Sequence, residues 1–213
     1  MSHSTVFLPN HEIPNPAFQT RNSMEDFLTP KLGWKLIFGG AVSGSQAATL
    51  FITTDGSHQW HRLDQISAAL PGDKDGVSFL SQNRGWLAGS FFPGSWRVEP
   101  YLYQTQDGGR TWTRVILPFP VDKTNAELNL APPAFFSSTA GVLVGYYSSV
   151  PKTAPVGALW VTTDGGHTWH WEPLRGRRMG PLAWRLPHPA TLIVTDHGHS
   201  WITRDDGYVW HLS

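Results

Sequence analysis

The sequence contains no cysteine, few charged residues and no net charge. The absence of cysteine among its 213 residues excludes disulfide bonds and catalysis by a thiol, although it leaves the redox compartment undetermined. Only 15% of the residues are charged, and 16 basic residues balance 16 acidic ones. A chain of this balance lacks the basic surplus that attracts nucleic acid or anionic membranes. We therefore expect no nucleic-acid partner and no membrane insertion.

The first 20 residues contain no long apolar run. They include three prolines, and no stretch among them matches the apolar core of a secretory signal or a membrane anchor. We predict neither element in the sequence as given. The compartment stays undetermined, and it would be extracytoplasmic if the chain were a fragment of an exported parent.

Glycine, proline and tryptophan are abundant. The chain contains 21 Gly, 17 Pro and 11 Trp. This composition favours many short strands and turns with large rings packed between sheets, and it is untypical of a helical bundle. A chain of this length can bury the core of a single domain.

A motif of the form Thr-x-Asp-x-x-x-x-Trp occurs four times. The Asp side chain can accept hydrogen bonds from N–H groups of its own turn, glycines supply positive φ, and the Trp begins the returning strand. We call this predicted hairpin turn the acidic turn. Ser57 replaces the second glycine in the first copy and Asp206 replaces the first glycine in the fourth, so we expect distortion there. The Asp and Trp residues of the four copies are Asp55 and Trp60, Asp107 and Trp112, Asp164 and Trp169, and Asp205 and Trp210.

Each acidic turn ends a longer repeat. An aromatic residue lies four positions before each Asp, and in three copies another aromatic lies six positions before the glycine that opens the second strand. The repeat reads as a four-stranded antiparallel meander, which is typical of a β-propeller blade that buries its faces against neighbouring blades. The sequence thus predicts an all-β propeller at residues 24–213, with its tryptophans between blades. The predicted blades span about residues 24–64, 75–118, 132–174 and 181–213.

Residues 1–23 precede the first predicted blade. The run Val-Phe-Leu-Pro at 6–9 matches Val-Ile-Leu-Pro at 115–118, and its distance to the next blade's Phe is similar, 27 − 9 = 18 against 135 − 118 = 17. Residues 6–9 therefore read as the outer strand of a blade whose body is missing. This favours a segment of a longer propeller or an open arc, and the alternative is a closed four-blade ring with residues 1–23 as a strap.

Two loops carry candidate binding residues. In a propeller, the loops between the second and third strands and the loops between blades lie on one face, opposite the acidic turns. The loop at 91–100 contains Trp96, Arg97 and Glu99, and the inter-blade loop at 172–181 contains a basic run with Arg175, Arg177 and Arg178. The planar guanidinium group of arginine can donate two parallel hydrogen bonds to a carboxylate or phosphate group. These residues are either a solvated polar surface or a site for a protein or an acidic ligand.

The acidic turn resembles the Asp-box, or bacterial neuraminidase repeat, of sialidases, sortilin-type receptors and the photosystem II stability/assembly factor family. Residues 83–89, 101–112 and 159–169 are most similar to the last of these families. That resemblance implies a non-enzymatic propeller that docks on other proteins through an arginine-rich face, without a cofactor. The candidates for such a face are Arg175, Arg177 and Arg178.

A carbohydrate-active or carbohydrate-binding propeller is the alternative function. Sialidases carry an Arg-Ile-Pro motif, whereas Glu12 precedes the Ile-Pro of this chain. Glycosidases need two carboxyls across the scissile bond, and the candidate carboxyls are scattered, which makes catalysis the less favoured hypothesis. Trp96, Tyr146 and Tyr147 are the candidate aromatic residues on which a sugar ring could stack. The scattered carboxyls are Asp64, Asp73, Asp75, Glu99, Asp122, Glu127 and Glu172.

A structural fragment without independent function is a third hypothesis.

Metal binding is not expected. Zinc sites need three or four ligands at a definite spacing. The ten histidines include close pairs at 167/170 and 197/199, but His58 and His167 fall on equivalent positions of two acidic turns. We expect both of them to be exposed at the rim and apart from the others.

Overall fold

The structure is a computed structural model, and it describes residues 22–42, 45–66, 70, 72–90, 101–118, 126–149, 156–172, 183–188, 191–196, 199–204 and 211–212. These residues form seventeen β-strands and no helix. The first four strands pair in chain order as one antiparallel sheet. They are β1 (Ser23–Phe27), β2 (Gly33–Val42), β3 (Ser45–Thr53) and β4 (His61–Ile66).

Three further antiparallel meanders follow the first sheet. The second is β5 (Asp73–Phe79), β6 (Gly85–Ser90), β7 (Tyr101–Thr105) and β8 (Thr113–Arg114). The third is β9 (Ala126–Leu130), β10 (Ala134–Phe135), β11 (Gly141–Ser149), β12 (Val156–Thr162) and β13 (His170–Glu172). The fourth is β14 (Ala183–His188), β15 (Thr191–Asp196), β16 (His199–Thr203) and β17 (His211–Leu212). The prediction of an all-β chain built from four-stranded antiparallel sheets is confirmed.

The innermost strand of the third sheet is split into two parts. Both β9 and β10 pair with β11, on either side of Pro132 and Pro133. Proline has no N–H to donate to a ladder, so two consecutive prolines interrupt the strand. A single pairing between Ser90 and Asn129 also links β9 to β6 of the second sheet.

The spacing of six residues between an aromatic and a glycine reflects hairpin register. Phe79 pairs directly with Gly85 across β5 and β6, and a Cβ on Gly85 would lie 2.5 Å from the Phe79 ring. The ring therefore covers the glycine of the neighbouring strand. Phe27 with Gly33 and Phe135 with Gly141 repeat the same arrangement.

The hydrophobic core lies between consecutive sheets. Trp34 of the first sheet is fully buried and stacks on Phe79 of the second, with ring centroids 3.7 Å apart. Trp86 of the second sheet packs on Phe135 of the third at 4.7 Å. Leu36, Ala48, Leu50, Val77 and Leu87 fill the first interface, and Ala88, Leu102, Leu130, Leu143, Ala158 and Trp160 fill the second.

Two acidic-turn tryptophans, Trp112 and Trp169, lie beside these interfaces, whereas Trp60 packs within the first sheet. Trp169 is 5% exposed and contacts Phe135 edge-on at 6.1 Å. Trp112 and Trp60 are half-buried and make the same edge-on contact with Phe79 and Phe27. Asp205 and Trp210 lie outside the described residues.

Polar contacts also join neighbouring sheets. The buried Asp26 of β1 accepts a hydrogen bond from the Phe79 N–H through Oδ2 at 2.7 Å. Arg84, which precedes β6, contacts the acidic turn of the third sheet. Its Nη1 donates to the Gly165 carbonyl at 3.2 Å, and its Nη2 lies 2.8 Å from Nε2 of His167. In the described residues, the first sheet is thus tied to the second, and the second to the third, by hydrogen bonds as well as by rings.

Candidate functional site

The predicted binding residues lie outside the part of the chain that the structure describes. Trp96, Arg97 and Glu99 belong to the undescribed segment 91–100, and the three arginines to segment 173–182. Their arrangement therefore stays a prediction. Tyr146 and Tyr147 lie on β11, opposite Gly157 and Val156 of β12.

The three described acidic turns share one hydrogen-bond pattern. In the second turn, the buried Thr105 donates from Oγ1 to Asp107 Oδ1 at 2.8 Å and accepts from the Gly109 N–H at 2.8 Å. Asp107 Oδ1 also accepts from the Thr111 N–H at 2.8 Å, and its Oδ2 accepts from the Thr111 hydroxyl at 2.5 Å. The turn carboxylate is therefore held by donors from both sides of its own turn.

The other two turns repeat this pattern with one difference. Asp164 accepts from the Thr162 hydroxyl at 2.8 Å and from the Thr168 hydroxyl at 2.5 Å. Asp55 accepts from the Thr53 hydroxyl at 2.8 Å and from the Gln59 N–H at 3.0 Å. The first turn has Gln59 where the others have threonine, so it lacks the second hydroxyl donor.

These hydrogen bonds lower the pKa of the turn carboxyls. Desolvation raises the pKa of Asp107, but hydrogen bonds from Thr111, Thr105 and the Arg110 N–H outweigh it and hold the pKa at about 2. Asp164 is also held at a pKa of about 2, because its own threonines outweigh desolvation in the same way. The Gln59 N–H and the Thr53 hydroxyl lower the pKa of Asp55. At neutral pH these groups are fixed acceptors and cannot donate a proton.

The expected distortion of the first acidic turn is wrong. Ser57 adopts φ of 72°, in the left-handed region that Gly109 and Gly166 occupy in the other turns. Its N–H donates to the Thr53 Oγ1 at 3.1 Å, as the equivalent glycine N–H groups do. The hydrogen bonds of the turn therefore keep the backbone shape even where the residue carries a Cβ.

A charged cluster at the start of β5 is the described candidate site. We call Asp73, Lys74 and Asp75 the β5 cluster. The register between β5 and β6 shifts between Lys74 and Gly76, so Asp75 lies in a β-bulge. Bulges re-aim side chains and are frequent near functional sites. Among the described strands, β5 pairs with β6 alone, and it follows the loop that leaves the first sheet.

Lys74 anchors this cluster to the first sheet. Its side chain is 3% exposed, and Nζ donates to the carbonyls of Leu70 at 2.5 Å and Gly72 at 2.8 Å. Its backbone N–H donates to Gln46 Oε1 at 3.0 Å, and the Gln46 N–H donates to the Gly72 carbonyl at 3.2 Å. The end of the β2–β3 hairpin and the start of β5 thus form one hydrogen-bonded unit.

The β5 cluster has shifted proton affinities. Burial lowers the pKa of Lys74 to about 8, and the negative charge of Asp73 opposes this change. Crowding by protein atoms raises the pKa of Asp75, and the negative charge of Asp73 adds to the rise. The Asp75 side chain nevertheless reaches solvent, and its hydration opposes the rise. Asp75 is therefore a solvent-accessible carboxyl that holds a proton at higher pH than an ordinary aspartate.

Sequence reasoning named two members of this cluster and missed the third. Asp73 and Asp75 appeared only among scattered carboxyls, and Lys74 was not considered. The available signal was a lysine between two aspartates, directly before the apolar positions Val77 and Phe79 of the same strand. The contact between the Lys74 backbone and Gln46 of the first sheet joins residues distant in sequence, so the local pattern does not reveal it.

The described residues show neither a metal-binding cluster nor a membrane-spanning helix. They contain no group of three or more His, Asp or Glu residues that could hold a metal ion. His58 and His167 are both exposed. No described helix has the length and apolar character needed to span a membrane.

The fold is similar to that of known β-propellers. A GH74 xyloglucanase from Xanthomonas campestris is 18% identical, with 84% of this chain and 28% of that chain covered and a TM-score of 0.51. A structure of YCF48 bound to a D1 peptide is 16% identical, with 97% and 84% covered and a TM-score of 0.41. A PL25 ulvan lyase is 10% identical, with 86% and 67% covered and a TM-score of 0.38.

These comparisons establish the architecture alone. No family model and no curated protein matches the chain. The chain spans 28% of the length of the xyloglucanase. Together with the four antiparallel meanders, the similarity to that structure shows that the chain has the fold of a β-propeller built from four-stranded blades.

Proposed function

We propose that the chain is a non-catalytic β-propeller that binds a protein partner, as an assembly module similar to photosystem II assembly factor-like propellers. The observation that carries this proposal is the state of the acids in the acidic turns. Asp107 and Asp164 have a pKa of about 2 and accept hydrogen bonds from their own turns. The repeated motif, which we interpret as an Asp-box, therefore builds a rigid scaffold, and it supplies no proton donor for catalysis.

The binding surface in this proposal is the opposite face of the propeller. Rigid turns and packed sheets position loops precisely, and loops on such scaffolds commonly carry binding residues. The loops at 91–100 and 172–181 supply the Trp96 ring, the Glu99 carboxylate and four arginines. Arg side chains can form paired hydrogen bonds with carboxylates, so an acidic segment of a protein suits the run of Arg175, Arg177 and Arg178.

Affinity capture with matched variants tests the proposal. We expect the wild-type chain to retain specific proteins, and we expect replacement of Arg175, Arg177 and Arg178 by alanine to abolish that retention. Arg204 is exposed and lies in the fourth acidic turn, so Arg204→Ala is the control and should retain the same proteins. Equal retention by both variants would show that the basic run is not the binding surface.

The β5 cluster favours a second candidate function, a carbohydrate-active propeller. Only Lys74 separates Asp73 from Asp75 in the sequence, and the bulge at Asp75 sets the direction of its carboxyl. Glycosidases hold their two carboxyls about 5–9.5 Å apart and raise the pKa of the one that acts as the acid. The raised pKa of Asp75 is compatible with that role.

Hydrolysis assays separate the two functions. A panel of soluble polysaccharides that includes xyloglucan should be cleaved by the wild-type chain if the second function holds, and Asp75→Asn should abolish cleavage. Ser78→Ala, on the same strand, is the control. No cleavage by the wild-type chain, together with a negative glycan array, would remove this candidate and leave the protein-binding function standing.

A further inference from the structure

The first sheet differs from the next two on the face that meets a preceding sheet. We call this the leading face of a sheet. In the second sheet it carries Val77, Phe79, Leu87, Tyr103 and Trp112, which pack in the core against the first sheet. The matching residues of the first sheet, by pairing and by distance from the acidic turn, are Glu25, Phe27, Lys35, Phe51 and Trp60.

The inner half of this leading face is charged. Lys35 Nζ lies 2.9 Å from Glu25 Oε1, and the two side chains are 27% and 41% exposed. Leu87 and Leu143 occupy the position of Lys35 in the next two sheets, and both are fully buried. Covering the Glu25–Lys35 pair with a whole sheet would remove both charges from water, which is costly. The first sheet is therefore not built to receive a complete sheet here.

The rest of this face is apolar. Phe27 and Trp60 touch edge-on at 6.0 Å, and Lys35 lies over the Trp60 ring at 5.3 Å. Phe51 lies next to Lys35 across β2 and β3. Phe27 is only half-buried, whereas its equivalents Phe79 and Phe135 are 7% and 5% exposed. This apolar part can take a narrow covering, such as a single strand.

The third sheet shows what covers the equivalent position. Trp160 lies four residues before its turn Asp, as Phe51 does, and it is fully buried. The segment 115–118, after β8, covers it: Leu117 is 4% exposed in the same core cluster, and the Pro118 carbonyl accepts from Trp160 Nε1 at 2.6 Å. Ile116 between them points outward and is 87% exposed. The segment that follows β8 thus covers the leading-face aromatic.

The sequence of the N-terminal residues 6–9 is similar to that of residues 115–118. Residues 6–9 read Val-Phe-Leu-Pro against Val-Ile-Leu-Pro at 115–118, and the distance to the following Phe is 18 residues (27 − 9) against 17 (135 − 118). We propose that residues 6–9 dock on the apolar part of the first sheet's leading face, with Leu8 against Phe51 in the place that Leu117 takes against Trp160. Phe7 then takes the outward position of Ile116.

Paired substitutions in the full chain test this docking. We expect Leu8→Asp to lower the Tm by several degrees, because it places a charge in a buried apolar contact. Phe7→Asp is the matched control and should leave the Tm unchanged, since the equivalent Ile116 is exposed. Equal effects of the two substitutions, or no effect of either, would overturn the proposal.

Disulfide trapping supplies a second test, which the absence of native cysteine makes clean. Leu8→Cys combined with Phe51→Cys should oxidise rapidly within the monomer. The control pair, Leu8→Cys with Ile116→Cys, should not, because Ile116 lies on another sheet. Disulfide-linked dimers would show that a second copy occupies the surface, and equal oxidation of the two pairs would show that nothing specific does. Either result contradicts the proposal.

Discussion

The indole of Trp34 lies flat on the ring of Phe79, with the planes 4° apart, and its Nε1–H donates to the Gly108 carbonyl at 3.2 Å. One residue of the first sheet thus contacts both the inner strand and the acidic turn of the second. Two parts of the repeat therefore meet at this contact. The Trp that follows the glycine in one blade packs on the Phe of the next blade and donates a hydrogen bond to the acidic turn of that blade.

Trp34 and Trp86 should respond differently to replacement by phenylalanine. Both are fully buried, and both changes remove similar apolar volume. Among the described residues, the Trp86 Nε1–H has no hydrogen-bond partner, whereas loss of the Trp34 indole leaves the Gly108 carbonyl without its donor. We expect Trp34→Phe to lower the free energy of unfolding by about 1 kcal/mol more than Trp86→Phe. Urea unfolding measures both, and an equal or reversed cost would contradict the assigned hydrogen bond.

Stability should fall with acid because of the turn carboxyls. Their pKa is about 2 in the folded chain, against about 3.9 for an unperturbed aspartate. The unfolded chain therefore binds protons first as the pH falls, and stability is lost between about pH 5 and pH 2. Urea midpoints measured across this range should fall steeply for the wild-type chain.

Substitutions in the turns should reduce this acid sensitivity. Asp107→Asn combined with Asp164→Asn should lower stability at pH 7 and flatten its pH dependence, because asparagine does not ionise. Thr111→Val removes the hydroxyl that donates to Asp107 Oδ2, so the pKa of Asp107 in the folded chain should rise. Part of the loss of stability should then occur at higher pH. A double variant whose stability falls as steeply as that of the wild type would show that the turn carboxyls are not responsible.

Gly166 should not tolerate a side chain. Its φ is 79°, and an added Cβ would lie 2.3 Å from Cζ2 of Trp86 in the neighbouring sheet. We expect Gly166→Ala to destabilise by about 1–3 kcal/mol, because the rigid indole must shift. Gly40→Ala is the control, since a Cβ there meets no atom within 4 Å. Similar costs for the two substitutions would contradict the close approach of the second and third sheets.

Stability should increase in mild alkali because of Lys74. Its pKa is about 8 in the folded chain, and an unperturbed lysine has a pKa of about 10.4. Between these values the unfolded chain binds more protons than the folded one, so the free energy of unfolding rises with pH. Lys74→Met should remove this rise in urea titrations at pH 8, 9 and 10. Parallel curves for the two proteins would show that Lys74 does not titrate on unfolding.

The architecture could be predicted from local spacing, because hairpin register is a local property. The six residues from Phe79 to Gly85 fix which residues face each other, and the acidic turn fixes where the next strand begins. The backbone N–H of Lys74, in contrast, donates to Gln46 of another sheet, and no spacing within one repeat encodes that contact. Charges on the leading face of the first sheet were missed for the same reason, since Lys35 departs from the repeat only when three sheets are compared.

A double-mutant cycle between Trp34 and Phe79 tests the central claim, that consecutive sheets stack face to face through these rings. Free energies of unfolding for Trp34→Ala, Phe79→Ala and the double variant give the coupling between two residues on different sheets. The stacked geometry predicts a favourable coupling of about 0.5–1.5 kcal/mol. A coupling indistinguishable from zero would mean that the rings do not touch and that the sheets are not packed in this way.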